Sequence, residues 1–284
     1  MSFTDVCEDL KKAVEYNFSN EVVIWLKERI HHIIEEKSTK DLFLTYSLLA
    51  SKVNGNDELL LPKKGSNVFT YLENHKAMPL QVSRVYLLVK VLEADTTYFT
   101  PKVSNIIQVA DTKELETFLK YLILLPNPED YTSTAVDALR TNIVTVFDAI
   151  ALNNPYPTQY FNDQQWNQMY LKTAFMERDI SMIMDIDDRA NKELARIISD
   201  YAHERWAASR EIEPYFWRPV SKFLDSTLLK DMEKLFKSSN KKENMAAGLC
   251  CSNSKFDDAK KLLDEYPIIK QKIAQNLINW KHIK

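Results

Sequence analysis

Three glycines, Gly55, Gly65 and Gly248, serve a chain of 284 residues. Ordinary usage is about 7%, so backbone that must turn sharply or approach a ligand closely is almost unavailable. Dinucleotide-binding and P-loop folds need such backbone at fixed spacing, and neither GxGxxG nor GxxxxGK[ST] occurs. Strict period-two alternation is also nearly absent. Apolar residues recur instead at helical spacing, between short connections rich in Pro, Asn and Ser. The expectation is an all-α chain.

Particular residues place the helices. Val22, Val23, Leu26, Ile30, Ile33 and Ile34 make one amphipathic stripe. Ser38 with Asp41 opens the next helix in the manner of a capping box. Asn54-Gly55-Asn56-Asp57 breaks it, and an irregular stretch to Ser66 follows. Pro79 suits a first turn, and the helix it opens is apolar nearly all round, which places it centrally. Asp111 with Glu114 marks another start, running to Leu125. Ala135, Val136, Leu139, Ile143, Val146, Phe147 and Ile150 give the cleanest stripe. Helices are expected at 163–176 and 188–209, with a shorter one after Pro214 and several more to the C-terminus. Met245-Ala246-Ala247-Gly248 is a small-residue patch that lets two helices approach. Helix pairs recur at roughly 30–45 residues from Glu114 onward, the range of helical repeat proteins. The expected architecture is a helical-hairpin array, HEAT-like or α-solenoid-like, forming a single domain over residues 1–284.

Composition excludes several classes. The net charge is −3 and no long basic run occurs, so nucleic acid is not an expected partner. No run of eighteen apolar residues exists, and no membrane span is expected. The first twelve residues lack an apolar signal core, and the three cysteines, Cys7, Cys250 and Cys251, are odd in number without CxxC spacing. Free thiols and a cytoplasmic location are expected.

Chemistry concentrates between Asn153 and Pro219, which hold three of the five tryptophans. Arg189, Arg196, His203 and Arg210 fall seven apart, about 10 Å between neighbours along a helix. Glu193 and Asp200, each four after an arginine, read as ion-pair partners. Asp200, His203 and Glu204 lie within one turn, where Asp200 could orient His203 for acid/base work or all three could form a structural polar network. His203-Glu204 begins like HExxH, but Ala207 stands where the second histidine belongs. Asp185-Ile186-Asp187-Asp188 lacks the Gly and Glu of a calcium loop and reads as an acidic helix start. Neither a metal nor a cofactor is expected. Trp166 beside Asn167 and Lys172, Trp206 near Arg205 and Arg210, and Trp217 beside Arg218 offer aromatic planes edged by polar groups. Such planes hold a polar ligand or pack in a core.

The residues Asn153-Asn154-Pro155-Tyr156-Pro157, Phe161, Trp166-Asn167-Gln168-Met169, Lys172, Asp187, Arg189, Asn191, Leu194-Ala195, Asp200-Tyr201, Glu204-Arg205-Trp206-Ala207-Ala208, Arg210 and Trp217-Arg218-Pro219 resemble the EboA family. The resemblance is dense over 148–219. The family often carries Gly where Ser209 stands, so a Ser there fits poorly if the backbone needs a positive φ. The resemblance implies a bacterial accessory protein of a secondary-metabolite gene cluster, whose neighbours resemble prenyltransferases, cyclases, sugar-isomerase-like barrels and metal-dependent hydrolases. It transfers no catalytic residue.

The functional expectation is a non-catalytic accessory protein of such a cluster. It would bind another protein of the cluster, or a polar sugar- or cyclitol-like intermediate, whether or not phosphorylated or prenylated. The candidate binding residues are Trp166, Asn167, Lys172, Asp187, Arg189, Asp200, His203, Glu204, Arg205, Trp206, Arg210, Trp217 and Arg218. The alternative is an enzyme using His203, with Asp200 or Glu204, as general acid/base.

Overall fold

A computed structural model describes residues 3–53, 57–62 and 65–283. The fold is the all-α helical array expected, with no strand among the described residues. The Asn54-Gly55-Asn56 break lies outside the described residues. Two compact units divide the chain, residues 1–160 and 161–284.

The first unit contains α1 (Val6–Asn17), α2 (Asn20–Glu35), α3 (Thr39–Lys52), α4 (Asn67–Asn74), α5 (Pro79–Ala94) and α6 (Thr96–Ser104). It continues with α7 (Ile106–Val109), α8 (Thr112–Lys120), α9 (Thr132–Ala138), α10 (Val144–Ala151) and α11 (Tyr156–Tyr160). Caps set the starts: Ser38 Oγ accepts from Asp41 N at 3.1 Å, and Asp111 and Glu114 close a reciprocal capping box. Twelve of the sixteen residues of α5 are buried, which makes it the helix the unit packs around. One of them is Arg84. Its Nη2 donates to Glu114 Oε1 at 3.1 Å, its Nε donates to the Tyr46 carbonyl at 3.1 Å, and Tyr46 OH donates to the Glu114 carbonyl at 2.9 Å. This closed set joins α3, α5 and α8 inside the unit.

The Ala135–Ile150 stripe is not one helix. It breaks after α9, and Ile143 is exposed. Thr141 Oγ1 accepts from Ile143 N at 3.0 Å, a local bond that competes with the helical ladder.

The second unit contains α12 (Asp163–Phe175), α13 (Ile186–Arg189), α14 (Lys192–Ala207), α15 (Leu228–Phe236), α16 (Lys241–Asn253), α17 (Asp257–Asp264) and α18 (Pro267–Ala274). A 3₁₀ segment, Pro214–Phe223, packs against α13, α14 and α16. Residues 188–209 are likewise not one helix. Asn191 caps α14, its Oδ1 accepting from Leu194 N at 2.8 Å, so Arg189 lies on a separate short turn. The small-residue patch works as expected: a Cβ on Gly248 would stand 2.6 Å from Ile269 Cγ2 and 3.0 Å from Ile273 Cδ1, so α16 and α18 touch where no side chain intervenes.

Helix ends show how the chain manages with so little glycine. Lys37, Lys76, Glu177, Ser209 and Asn276 all take left-handed backbone, with φ of 47, 47, 54, 53 and 56°. Each closes a Schellman motif; Arg210 N, for example, donates to the Arg205 carbonyl at 2.9 Å and Ser209 N to the Trp206 carbonyl at 3.0 Å.

Candidate functional site

Every candidate residue from Trp166 to Arg218 lies in the second unit. The structure sorts them into buried and exposed sets.

Trp166 and Trp217 are fully buried, so both are core residues of this unit. The Arg189 guanidinium lies 4.8 Å from the Trp166 ring centre and donates to the Phe161 carbonyl at 2.8 Å. Arg189 therefore does not pair with Glu193. Asn167 exchanges amide hydrogen bonds with Asn191 at 3.1 and 2.8 Å, which holds the cap of α14 against α12. Arg218 grips Asp187 in a two-point contact, Nε to Oδ1 at 2.8 Å and Nη2 to Oδ2 at 2.6 Å. It also donates to the Tyr215 hydroxyl. Asp187 is thus a tether for the 3₁₀ segment. The acidic run at 185–188 does not cap α14, and Asp185 makes no side-chain cap bond of its own. Lys172 is half-buried, and burial lowers its ammonium below the usual lysine range.

The exposed set follows α14. Asp200 pairs with Arg196 at 2.5 Å, and Glu193 pairs with Arg196 at 2.6 Å. The Arg196–Asp200 pairing agrees with the spacing, and Asp200 is consequently not the partner of His203. That partner is Asp231 of α15, 28 positions away. His203 Nε2 lies 2.6 Å from Asp231 Oδ1; a carboxylate only accepts, so the nitrogen donates. Asp231 is 3% exposed, and its other oxygen accepts from the buried Ser199 hydroxyl at 2.6 Å. Ser199 meets the carboxylate and not the imidazole, so the three residues do not form a nucleophile–base–orienter sequence.

The His203 ring lies tilted beside Trp206 at 5.5 Å, and Trp206 stacks at 5.8 Å on Trp217. Lys234 Nζ sits 3.9 Å above the Trp206 ring. Spacing had not singled out Asp231 and Lys234. The signal for Asp231 was present: it interrupts the apolar seam Leu228, Met232, Leu235, and a carboxylate in such a seam needs partners. Glu204 and Arg210 are exposed. Arg205 donates twice to the Glu211 carbonyl, at 3.1 and 2.8 Å, and so fixes the chain as it leaves α14.

Two grooves border this set. One, of about 580 Å³, is lined by Arg178, Tyr201, Arg205, Glu213, Tyr215 and Lys242 among others. The second, of about 520 Å³, runs beside Arg196, Ser199, Asp200 and Phe223. Both volumes fall in the range of small-molecule sites. Among the described residues, no three His, Cys, Asp or Glu side chains gather where they could hold a metal ion.

A family model described as metabolite traffic protein EboA matches residues 6–221. The chain belongs to the EboA family. The EboA match extends far beyond the 148–219 region where the resemblance is densest, and it ends within the 3₁₀ segment. No curated protein and no solved structure matches the chain. No helix among the described residues is long and apolar enough to cross a membrane.

Proposed function

We propose that this EboA-family chain is a non-catalytic accessory protein of the cytoplasm, which binds a partner protein or a polar intermediate of a metabolite pathway. The family description, metabolite traffic, supports a handling role over a chemical one. The observation that carries the reading is the division of the candidate residues. Trp166, Asn167, Asp187, Arg189, Trp217 and Arg218 hold helices together, while Asp200, His203 and Glu204 on α14 and Arg210 just beyond its end stay exposed. In this reading the buried set stiffens α14, and the exposed set, with Arg205 and Trp206, meets the ligand. The groove bounded by Tyr201, Arg205 and Tyr215 is the place for a small polar ligand. Lys172 belongs to the same region without lining that groove.

One observation favours a second reading: a buried carboxylate orients His203 with its ring exposed, as a general base requires. Substitution separates the two. Gln at position 203 keeps a donor near the place of Nε2, so the contact to Asp231 survives, but it cannot shuttle a proton. Complementation of a deletion strain, with thermal melts as a check on folding, is the assay. A binding surface predicts that His203→Gln is nearly silent and that Arg210→Ala impairs function. A stably folded but inactive His203→Gln protein supports the enzyme and sinks the accessory reading.

A further inference from the structure

We propose that the outward face of α15, with its seam against α14, docks an acidic segment of a partner protein. This rests on the reading above, that the exposed residues of α14 with Trp206 meet a ligand, and it commits that ligand to a protein.

Burial fixes which way α15 faces. Leu228, Asp231, Met232, Leu235 and Phe236 are its buried residues. Lys230, Lys234 and Lys237 fall at i, i+4 and i+7, so they share one side over about 10 Å, and all three are exposed. Lys234 Nζ lies 3.9 Å from the centre of the Trp206 ring, so the stripe borders the seam with α14. Half-buried Trp206 is held there from two sides. It stacks on buried Trp217, and the His203 ring beside it is tied to buried Asp231. An aromatic plane already fixed in place loses little freedom on binding, and tryptophans so placed anchor protein interfaces.

Charge decides what covers this face. None of the three lysines has an ion pair or a side-chain hydrogen bond among the described residues. The nearby carboxylates do not neutralise them. Asp231 is engaged by His203 and Ser199. Glu204, two positions before Trp206, points to nearly the opposite side of α14. Glu233 pairs with neither Lys230 nor Lys237, and it leaves one carboxylate against three lysines. An acidic segment supplies the missing charge. A bilayer does not fit, because no large apolar side chain between residues 185 and 267 is exposed to enter it. A long phosphate backbone would meet Glu193, Asp200 and Glu204, exposed on the neighbouring α14. Neither groove includes Trp206, Lys230, Lys234 or Lys237 in its lining, so the face is open and suits an extended partner.

The test is fluorescence anisotropy of a labelled peptide of about ten glutamates titrated with the full chain, with a lysine peptide of equal length as control. Binding is expected for the glutamate peptide only, and added salt should weaken it. Lys234→Glu removes one attraction and adds one repulsion, so affinity should fall by about tenfold. Lys230→Glu and Lys237→Glu should act likewise. Lys255→Glu makes the same change in net charge outside this helix and should bind as the parent does. The lysines point to solvent, so melting temperatures should match the parent. In complementation, reversal of all three lysines should impair function. No binding of the glutamate peptide, reversals that bind like the parent, or an equal loss from Lys255→Glu would overturn the proposal. So would tighter binding of a single-stranded oligonucleotide of equal length, or a dimer of this chain that the reversals dissolve. If Arg210→Ala impairs complementation and the triple reversal does not, this proposal fails and the α14 reading stands; if neither does, both fail.

Discussion

Arg84 offers the sharpest test of how the first unit is held together. It is 2% exposed, and Glu114, its partner, is 4% exposed. Arg84→Met keeps most of the aliphatic stem and removes the guanidinium. Three contacts go with it: the ion pair at 3.1 Å, the bond to the Tyr46 carbonyl, and the stacking at 5.1 Å from the Tyr46 ring. The larger consequence is that Glu114 keeps its charge in a dry interior, with only Asp111 N at 3.0 Å left to satisfy its side chain. Breaking a buried pair by removing one member costs about 3–5 kcal/mol. For a chain of this size that lowers Tm by roughly 10 °C. Denaturant unfolding followed by far-ultraviolet circular dichroism measures it directly. Adding Glu114→Gln should recover much of the loss, since Gln retains the capping-box acceptor without the charge. A cost below about 1 kcal/mol for Arg84→Met, or a double variant no better than the single, would refute the account.

Three further outcomes are expected. Ser209→Gly should raise stability by about 0.5 kcal/mol, because relief of the left-handed strain at φ 53° exceeds the entropy glycine adds to the unfolded chain; a lower melting temperature would contradict it. The thiols should react very slowly while folded, since burial, with Glu93 as hydrogen-bond partner, raises Cys7 to about 12, and burial raises Cys251 to about 12 and Cys250 further; thiol titration in denaturant should then find all three. Finally, burial lowers His75 despite the two carbonyls, of Tyr71 and Asn153, at 2.8 Å from its ring nitrogens. The unfolded chain then binds the extra proton first, so stability should fall as pH drops below about 6.5, and His75→Gln should flatten that slope.

Local signals in the sequence were reliable where one residue and its near neighbours decide the outcome. Ser38, Asp111 with Glu114, and Pro79 start helices as their chemistry requires. The apolar girth of α5 marked it as central, and the family-like residues of 148–219 marked the polar region. What stayed hidden depends on distant partners. Nothing near His203 in the chain announces Asp231, and nothing around Arg84 announces Glu114, 30 positions on. The breaks at Thr141 and Asn191 were misjudged because apolar spacing continues through them, while a side-chain bond to the backbone interrupts the ladder at Thr141 and starts a new helix at Asn191. The tryptophans were ambiguous for a related reason. Composition shows that Trp166 and Trp217 neighbour polar groups, but only packing shows that Arg189 lies over a buried Trp166 ring and that buried Trp217 stacks on Trp206.

The glycine-free helix ends have a mechanical meaning. A glycine at a helix end is a loose elbow, able to swing through both halves of backbone space at little cost. Lys37, Lys76, Glu177, Ser209 and Asn276 have a Cβ, so leaving the one well each occupies means crossing forbidden ground. Rods joined by such elbows hold their angles. A push on one helix is passed to the next and is not absorbed at the bend. In the second unit, two of these stiff joints, at Glu177 and Ser209, flank the candidate groove, so the groove meets its ligand with its walls already set.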